Sequence, residues 1–457
     1  MKGEIPTFYF PTNETIPTKE HRLFEKDNRL FKKDGGVYKK CLGVFKKRRG
    51  VRSKTSGRFK KTLGRRESLL LISKESLSLA QQNKATMKII IAIDSFKGSL
   101  SSIEAGQAAI DSIQGLLPGC QTELIPIADG GEGMLSVMMN TIKGHIQSLE
   151  AHNPRMEKII TNYGISLDSQ TAFIEMANIS GLPLIKKVQQ NPMRTTTYGT
   201  GELIRDALEK GCRKFIVGIG GSATNDMGTG MLQALGFQLL DKNGKALGQG
   251  GEILEKVAHI CTQNVHQSLK NAHFIVACDV QNPLYGPNGA AAVYARQKGA
   301  DDNMIEELDR GMRSFAQVIL EKTGKDISTI PGSGAAGGMG GGMLAFLNAE
   351  LRSGADLLLD LSQFESKIKD ADLIITGEGR IDRQSLMGKI PGKILEIGKR
   401  KGIPVIAIAG CVEDEEMLLK AGFRGVYSTK PQNMPLEEAM KKDVAIRNIK
   451  RVLPIVI

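Results

Sequence analysis

The chain has 457 residues, of which 41% are apolar and 24% charged, and a formal net charge of +13. That length supports two or three domains with sizeable cores in a soluble globular protein, and no run of about 18 apolar residues is present to span a membrane. The basic excess is local: residues 1–86 hold 22 Lys and Arg against 8 Asp and Glu, whereas the rest holds 40 against 41, so a nucleic-acid groove in the folded body is disfavoured.

The basic segment, with Lys46-Lys-Arg-Arg49 and Lys60-Lys61, has little apolar periodicity before Leu69, and its composition predicts disorder. It reads either as a nucleic-acid-binding arm or as an organellar presequence, although Glu4, Glu14, Glu20, Glu25 and Asp27 do not suit an acid-poor transit pattern. A plainer expectation is upstream translated sequence without a role, because Met87 opens directly onto an apolar run, Lys88-Ile-Ile-Ile-Ala-Ile-Asp94. The six cysteines (41, 120, 212, 261, 278 and 411) form no CxxC pair and no metal-ligand spacing, which predicts reduced thiols in a cytosolic protein. None of the six histidines lies in a zinc motif.

From Met87 the pattern is α/β. A strand ending at Asp94 leads to a helix over 101–117, with Ser102 placed to cap it, and then to a strand over 121–128. Residues 145–149, 158–163 and 171–176 alternate apolar with polar and predict an antiparallel meander. Residues 214–218 and 274–279 read as buried strands, and 303–322 as a long helix. Strands return at 373–376, 405–409 and 425–428, completing five strands of one sheet. The expected organisation is a discontinuous flavodoxin-like (Rossmann-like) parallel-sheet domain, 87–144 with 341–457, into which a second α/β domain, 145–340, is inserted. The cleft between them is the natural site.

Three segments pair carboxylates with glycines: Asp129-Gly-Gly-Glu-Gly133, Gly218-Ile-Gly-Gly-Ser-Ala-Thr-Asn-Asp226 and Thr376-Gly-Glu-Gly-Arg-Ile-Asp382. Glycine lets backbone N–H groups cradle phosphate oxygens, while Asp and Glu hold Mg²⁺ or accept a hydroxyl proton, so the pattern points to phosphoryl transfer. Lys97, in the loop Asp94-Ser-Phe-Lys-Gly-Ser99, stands before a helix start where an anion is welcome. Asp129 and Glu132 read either as two strand-end carboxylates or as the N-cap and N3 of a capping box. Ser222, Thr224 and nearby amides can face phosphates, Arg194 precedes a helix and suits a carboxylate or phosphate, and Asp279 with Asn282 ends another strand or forms an Asx turn into Pro283. The run 331–342 contains a GxGxxG, but no convincing strand precedes it, and a GxxxxGK[ST] sequence is missing.

Taken in order, Asp94–Ser102, Ala128–Gly133, Gly218–Asp226, Ala277–Leu284 and Ile375–Asp382 resemble the type I glycerate kinase family from Met87 to about Met440. The resemblance implies a flavodoxin-like domain with an inserted α/β domain, and phosphorylation of D-glycerate by ATP and Mg²⁺ to 2-phosphoglycerate, with the 3-position as an alternative. It carries Lys97 and Arg380 as cationic catalytic partners and Asp226 or Asp279 as the base. Asp94, Ser95 and Arg194 are expected on the substrate, Gly220, Gly221, Ser222, Thr224, Gly377 and Gly379 on the nucleotide, and Asp129 and Glu378 on the metal. Expected partners are the small acid and a second copy of the chain as a homodimer, with no membrane and no nucleic acid for the body; the expected location is cytoplasmic. Met134, Arg383 and Ser385 depart from the family pattern, and the apolar end 447–457 is short for its terminal helix. A nicotinamide-dependent hydroxy-acid oxidoreductase, resting on the GxGxxG, and a nucleic-acid-associated protein using the basic arm are the competing readings.

Overall fold

The computed structural model describes Met87–Gly131 and Gly133–Ile457; the readings of residues 1–86 and of Glu132 lie outside these residues. Thirteen strands are assigned among the described residues: β1 (Lys88–Ile93), β2 (Gln121–Leu124), β3 (Gly144–His152), β4 (Lys158–Ser166), β5 (Thr171–Glu175), β6 (Lys214–Gly218), β7 (Gln238–Leu240), β8 (His259–Cys261), β9 (His273–Ala277), β10 (Glu350–Arg352), β11 (Leu373–Ile381), β12 (Val405–Val412) and β13 (Gly425–Ser428). A five-stranded sheet has the order β13-β12-β11-β1-β2 with every pair parallel, so β1 and β11 are neighbours on either side of the point where the order reverses. The apolar run of β1 is buried on both faces, as a parallel strand covered by helices must be.

A six-stranded sheet, ordered β10-β9-β6-β5-β4-β3, is parallel from β10 to β5 and antiparallel through β4 and β3. The alternating meander and the two buried strands expected from the sequence are therefore parts of one sheet. Strands β7 and β8 form a separate pair. A small apolar core joins Ala128, Met134 and Met138 to Phe173, Ile216 and Ala277, tying the segment that leaves β2 onto the six-stranded sheet.

Local chemistry corrects three expectations. The cap of the helix Ser102–Leu116 is Ser101, whose side chain and that of Glu104 form a capping box. Ser102 is buried instead, donating to the Ile93 carbonyl and accepting from the Ile127 amide. Asp129 does not cap the helix Met134–Thr141; the cap position is Gly133, and the buried Glu175 carboxylate accepts from the amides of Gly133 and Leu135. Thr376–Ile381 is not a loop but the second half of β11, paired with β12.

The glycine run 331–342, on which the oxidoreductase reading rests, begins in a turn at 331–334 and continues in the helix Ala335–Phe346, which is interrupted by left-handed residues at 336–338 and buried along most of its length. It serves as packing beneath the 224–228 segment, with the Met227 amide donating to the Gly337 carbonyl. The C-terminal residues extend a helix, Lys442–Val456, that buries Ala445, Ile449, Val452 and Leu453 in the core beside β1 and the helix after it.

Candidate functional site

Two cavities open beyond the carboxyl ends of the central strands. The first, about 380 Å³, is lined on its polar side by Asp94, Ser95, Lys97, Asp129, Glu378 and Arg380, and on its apolar side by Phe96, Leu436, Ala439 and Met440. The second, about 440 Å³, is lined by Gly130, Gly131, Gly220, Gly221, Ser222 and Asp279, with Leu182, Tyr294 and Lys298 among its other walls. Lys97 and Asp129 line both cavities. The glycine loops form this junction by close approach: a Cβ on Gly220 would lie 2.7 Å from the Gly131 Cα, so a side chain there would force the two loops apart.

Lys97 Nζ lies 2.5 Å from Asp129 Oδ2, and Asp129 Oδ1 accepts from the Gly131 amide at 3.0 Å. Burial alone would lower the Lys97 pKa, but the charge and hydrogen bond of Asp129, aided by Asp94 and Glu378, raise it. The ammonium is therefore held charged at the junction. Asp94, 3% exposed, is pushed up to about 8 by burial and then by the Asp129 charge, against the Ser95 amide and Lys97. Burial also raises Glu378, opposed by the Ser385 hydroxyl donating at 2.5 Å and by Lys389 at 3.9 Å. Lys97 is thus in contact with one carboxylate, Asp129, and feels the charge of two more, Asp94 and Glu378, the charge pattern of a site suited to additional cations or protons.

Asp279 faces the second cavity, where its carboxylate accepts from the Gly354 amide and the Ser353 hydroxyl. It is not held in an Asx turn. Burial and then Asp129 push it up to about 6, against those donors. Asn282 accepts from the Tyr294 hydroxyl and donates to the Asn288 carbonyl, a bracing role in the adjacent loop.

Other expected residues sit apart. Asp226 is fully buried, accepting from the amides of Thr197, Gly228 and Gly230 and from the Thr197 hydroxyl. Burial raises its pKa against those donors. The structure gives it a loop-bracing place and no opening to either cavity. Thr224 is buried as well, offering its carbonyl to Lys298. Arg194 is exposed and lines neither cavity. Gly377 is a strand residue, where a Cβ would come 2.0 Å from the Ile408 carbonyl, so the glycine there permits strand pairing; Gly379 does line the first cavity. Arg380 lines that cavity too, with its guanidinium paired to Glu413 at 2.5 Å and Asp382 at 3.6 Å.

Several contributors escape the sequence motifs. Lys298 is the one buried lysine among the described residues, and it ends the tight turn Arg296–Lys298 that directly follows a wide-wound turn, Ala291–Ala295. Its only signal is its place at the end of that stretch, before Gly299. Ser385 and Lys389, on Glu378, lie in a segment whose departure from the family pattern is visible in sequence, though its target is not.

The model of the glycerate kinase family matches residues 89–454. The chain belongs to the glycerate kinase family. It is 44% identical over 367 residues to a glycerate kinase of Halalkalibacterium halodurans, covering 79% of this chain and 97% of that one. It is also 44% identical to the glycerate 2-kinase of Escherichia coli, covering 78% and 93%. Among solved structures, one from Salmonella typhimurium LT2, provisionally assigned as glycerate kinase 2, superposes with a TM-score of 0.72 at 42% identity over 81% of this chain and 97% of that one. Family membership makes this an enzyme, a phosphotransferase with an alcohol group as acceptor, and removes the basis for an oxidoreductase built on the 331–342 glycines.

Proposed function

We propose that this enzyme transfers a phosphoryl group from ATP to the 2-hydroxyl of D-glycerate. The observation that carries the reading is the Lys97–Asp129 pair standing at the junction of two cavities, one with an apolar wall suited to a nucleoside and one walled by glycine loops. Phosphoryl transfer asks mainly for in-line positioning and charge neutralisation, and a charged lysine shared by both cavities supplies both.

The side chains at this junction suit Mg²⁺. Asp129 and Glu378 present hard oxygen donors to the first cavity, and no cluster of three or more metal-ligating side chains exists among the described residues. Mg²⁺ bound by one or two carboxylates keeps several waters and takes substrate phosphates, so two protein donors suffice. When bound, the ion would neutralise phosphate charge between the two substrates. Asp279 is the better base of the two considered, because it faces a cavity while the oxygens of Asp226 are committed to the fold. Arg380 would balance charge from the outer wall of the first cavity. The two sheets support a division into a flavodoxin-like domain and an inserted one; the proposed partner is the small acid and the proposed location the cytoplasm.

ATP consumption with D-glycerate, followed by NMR of the product, tests the reading. Phosphate on C2 supports it, phosphate on C3 replaces the position alone, and no D-glycerate-dependent turnover in the presence of Mg²⁺ overturns it.

A further inference from the structure

The second cavity contains a charge that the proposed chemistry has not used. Lys298 is 2% exposed and lines that cavity. Its Nζ donates to the Ser222 hydroxyl at 2.8 Å and to the Thr224 carbonyl at 2.7 Å, both neutral acceptors. An ammonium has three donors, and no carboxylate forms an ion pair with this one among the described residues. The charge of Asp226 acts on it without contact, and the oxygens of Asp226 already accept from three amides and a hydroxyl.

A buried cation without a contacting anion is costly, and folds retain one where a ligand completes it. Burial pushes Lys298 down to about 7, against the pull of Asp226, which expresses the same deficit. The surroundings are built: Ser222 belongs to the glycine loop at the end of β6, and the wide-wound turn Ala291–Ala295 followed by the tight turn Arg296–Lys298 delivers the side chain to the cavity wall. Turns of this kind occur disproportionately at functional sites.

We propose that Lys298 receives an oxyanion of a bound substrate in the second cavity, either the carboxylate of the acid or a phosphate of the nucleotide. The inference rests on the kinase reading for the identity of the ligands, but not for the existence of the anion site. Ser222 and the amides of the 220–222 loop would share that oxyanion with the ammonium.

The test is equilibrium binding to the full chain, wild type and K298M, with D-glycerate, ATP and inorganic pyrophosphate as separate probes, alongside KM and kcat for each substrate. The expected result is a loss of about 30-fold or more in affinity for one ligand class, with the other within twofold and KM for the affected substrate rising in step. Loss confined to D-glycerate assigns the carboxylate; loss confined to ATP and pyrophosphate assigns the phosphate. Unchanged affinities, or an equal loss for both classes, overturn the proposal. Should K298M fail to fold, wild-type protein labelled with ¹³C at lysine Cε gives a second reading, the Lys298 signal being assigned with K298R. That signal must move on saturation with one ligand class, and immobility with both overturns the proposal. Binding is measured without turnover, so a wild-type enzyme that binds these anions yet phosphorylates no D-glycerate would refute the functional reading and leave the anion site standing.

Discussion

Lys97 and Asp129 hold one another at 2.5 Å where the two cavities meet, with 58% of the lysine side chain and 23% of the aspartate side chain still exposed. A pair this open contributes little to stability, on the order of 0–1 kcal/mol. Its placement therefore matters for what it touches. Lys97→Met should leave the melting temperature nearly unchanged and lower kcat by about 100-fold or more, because the missing charge is the one shared by both substrates. Steady-state kinetics beside thermal unfolding check this, and a variant with unchanged rate and ATP affinity would clear Lys97 of a role.

Asp94 predicts a pH dependence of stability. Its pKa is raised from 3.8 to about 8 in the fold, so the folded chain keeps a proton that the unfolded chain gives up near pH 4. Stability is therefore fully present below about pH 4 and is lost as pH rises toward 8. Asp94→Asn removes the charge but retains an oxygen for the Ser95 amide. The variant should melt several degrees above the wild type at pH 8.5, with the gain shrinking toward pH 4, while its activity falls. A pH-independent difference in melting temperature would show that the Asp94 charge is not the cause.

These two residues also show what was legible in the sequence. Lys97, Asp94 and Asp129 were readable because each follows an apolar strand and stands beside glycine or serine, where strand ends in an open parallel sheet place ligands. Strands such as β1 were readable because a parallel strand covered on both faces is a continuous apolar run; their order followed from the flavodoxin-like pattern, and β2, with the sequence Gln-Thr-Glu-Leu, is shorter than the 121–128 expected. The 376–380 segment misled because its glycines look like a loop, whereas they permit close pairing with β12. Asp226 misled in the opposite way, since a carboxylate at the end of a glycine-rich turn has the same sequence signature whether it meets a ligand or ties down the turn's own amides. Lys298 was invisible because its partners, Ser222 and Thr224, are more than 70 residues away.

Asp226→Asn separates bracing from catalysis. The substitution replaces an oxygen that accepts hydrogen bonds with an NH₂ group, leaving a buried amide or hydroxyl facing another donor. The expected cost is about 2–4 kcal/mol of stability, read as a lower denaturation midpoint. The fraction that remains folded should keep most of its turnover. Loss of turnover by several orders of magnitude at unchanged stability would restore Asp226 as the base.

Asp279 yields the converse prediction. Its pKa is raised to about 6, first by burial and then by the charge of Asp129. A base must be ionised to accept the glycerate proton, so kcat/KM should fall on the acid side with an apparent pKa near 6, and Asp279→Asn should lower the rate by about 100-fold or more while removing that limb. Asp129 supplies a second handle: because its charge raises Asp279, Asp129→Asn should move the limb to lower pH in whatever activity survives. A limb that persists in Asp279→Asn belongs to another group. A limb that vanishes there but fails to move in Asp129→Asn would keep Asp279 as the base while removing Asp129 as the source of its shift.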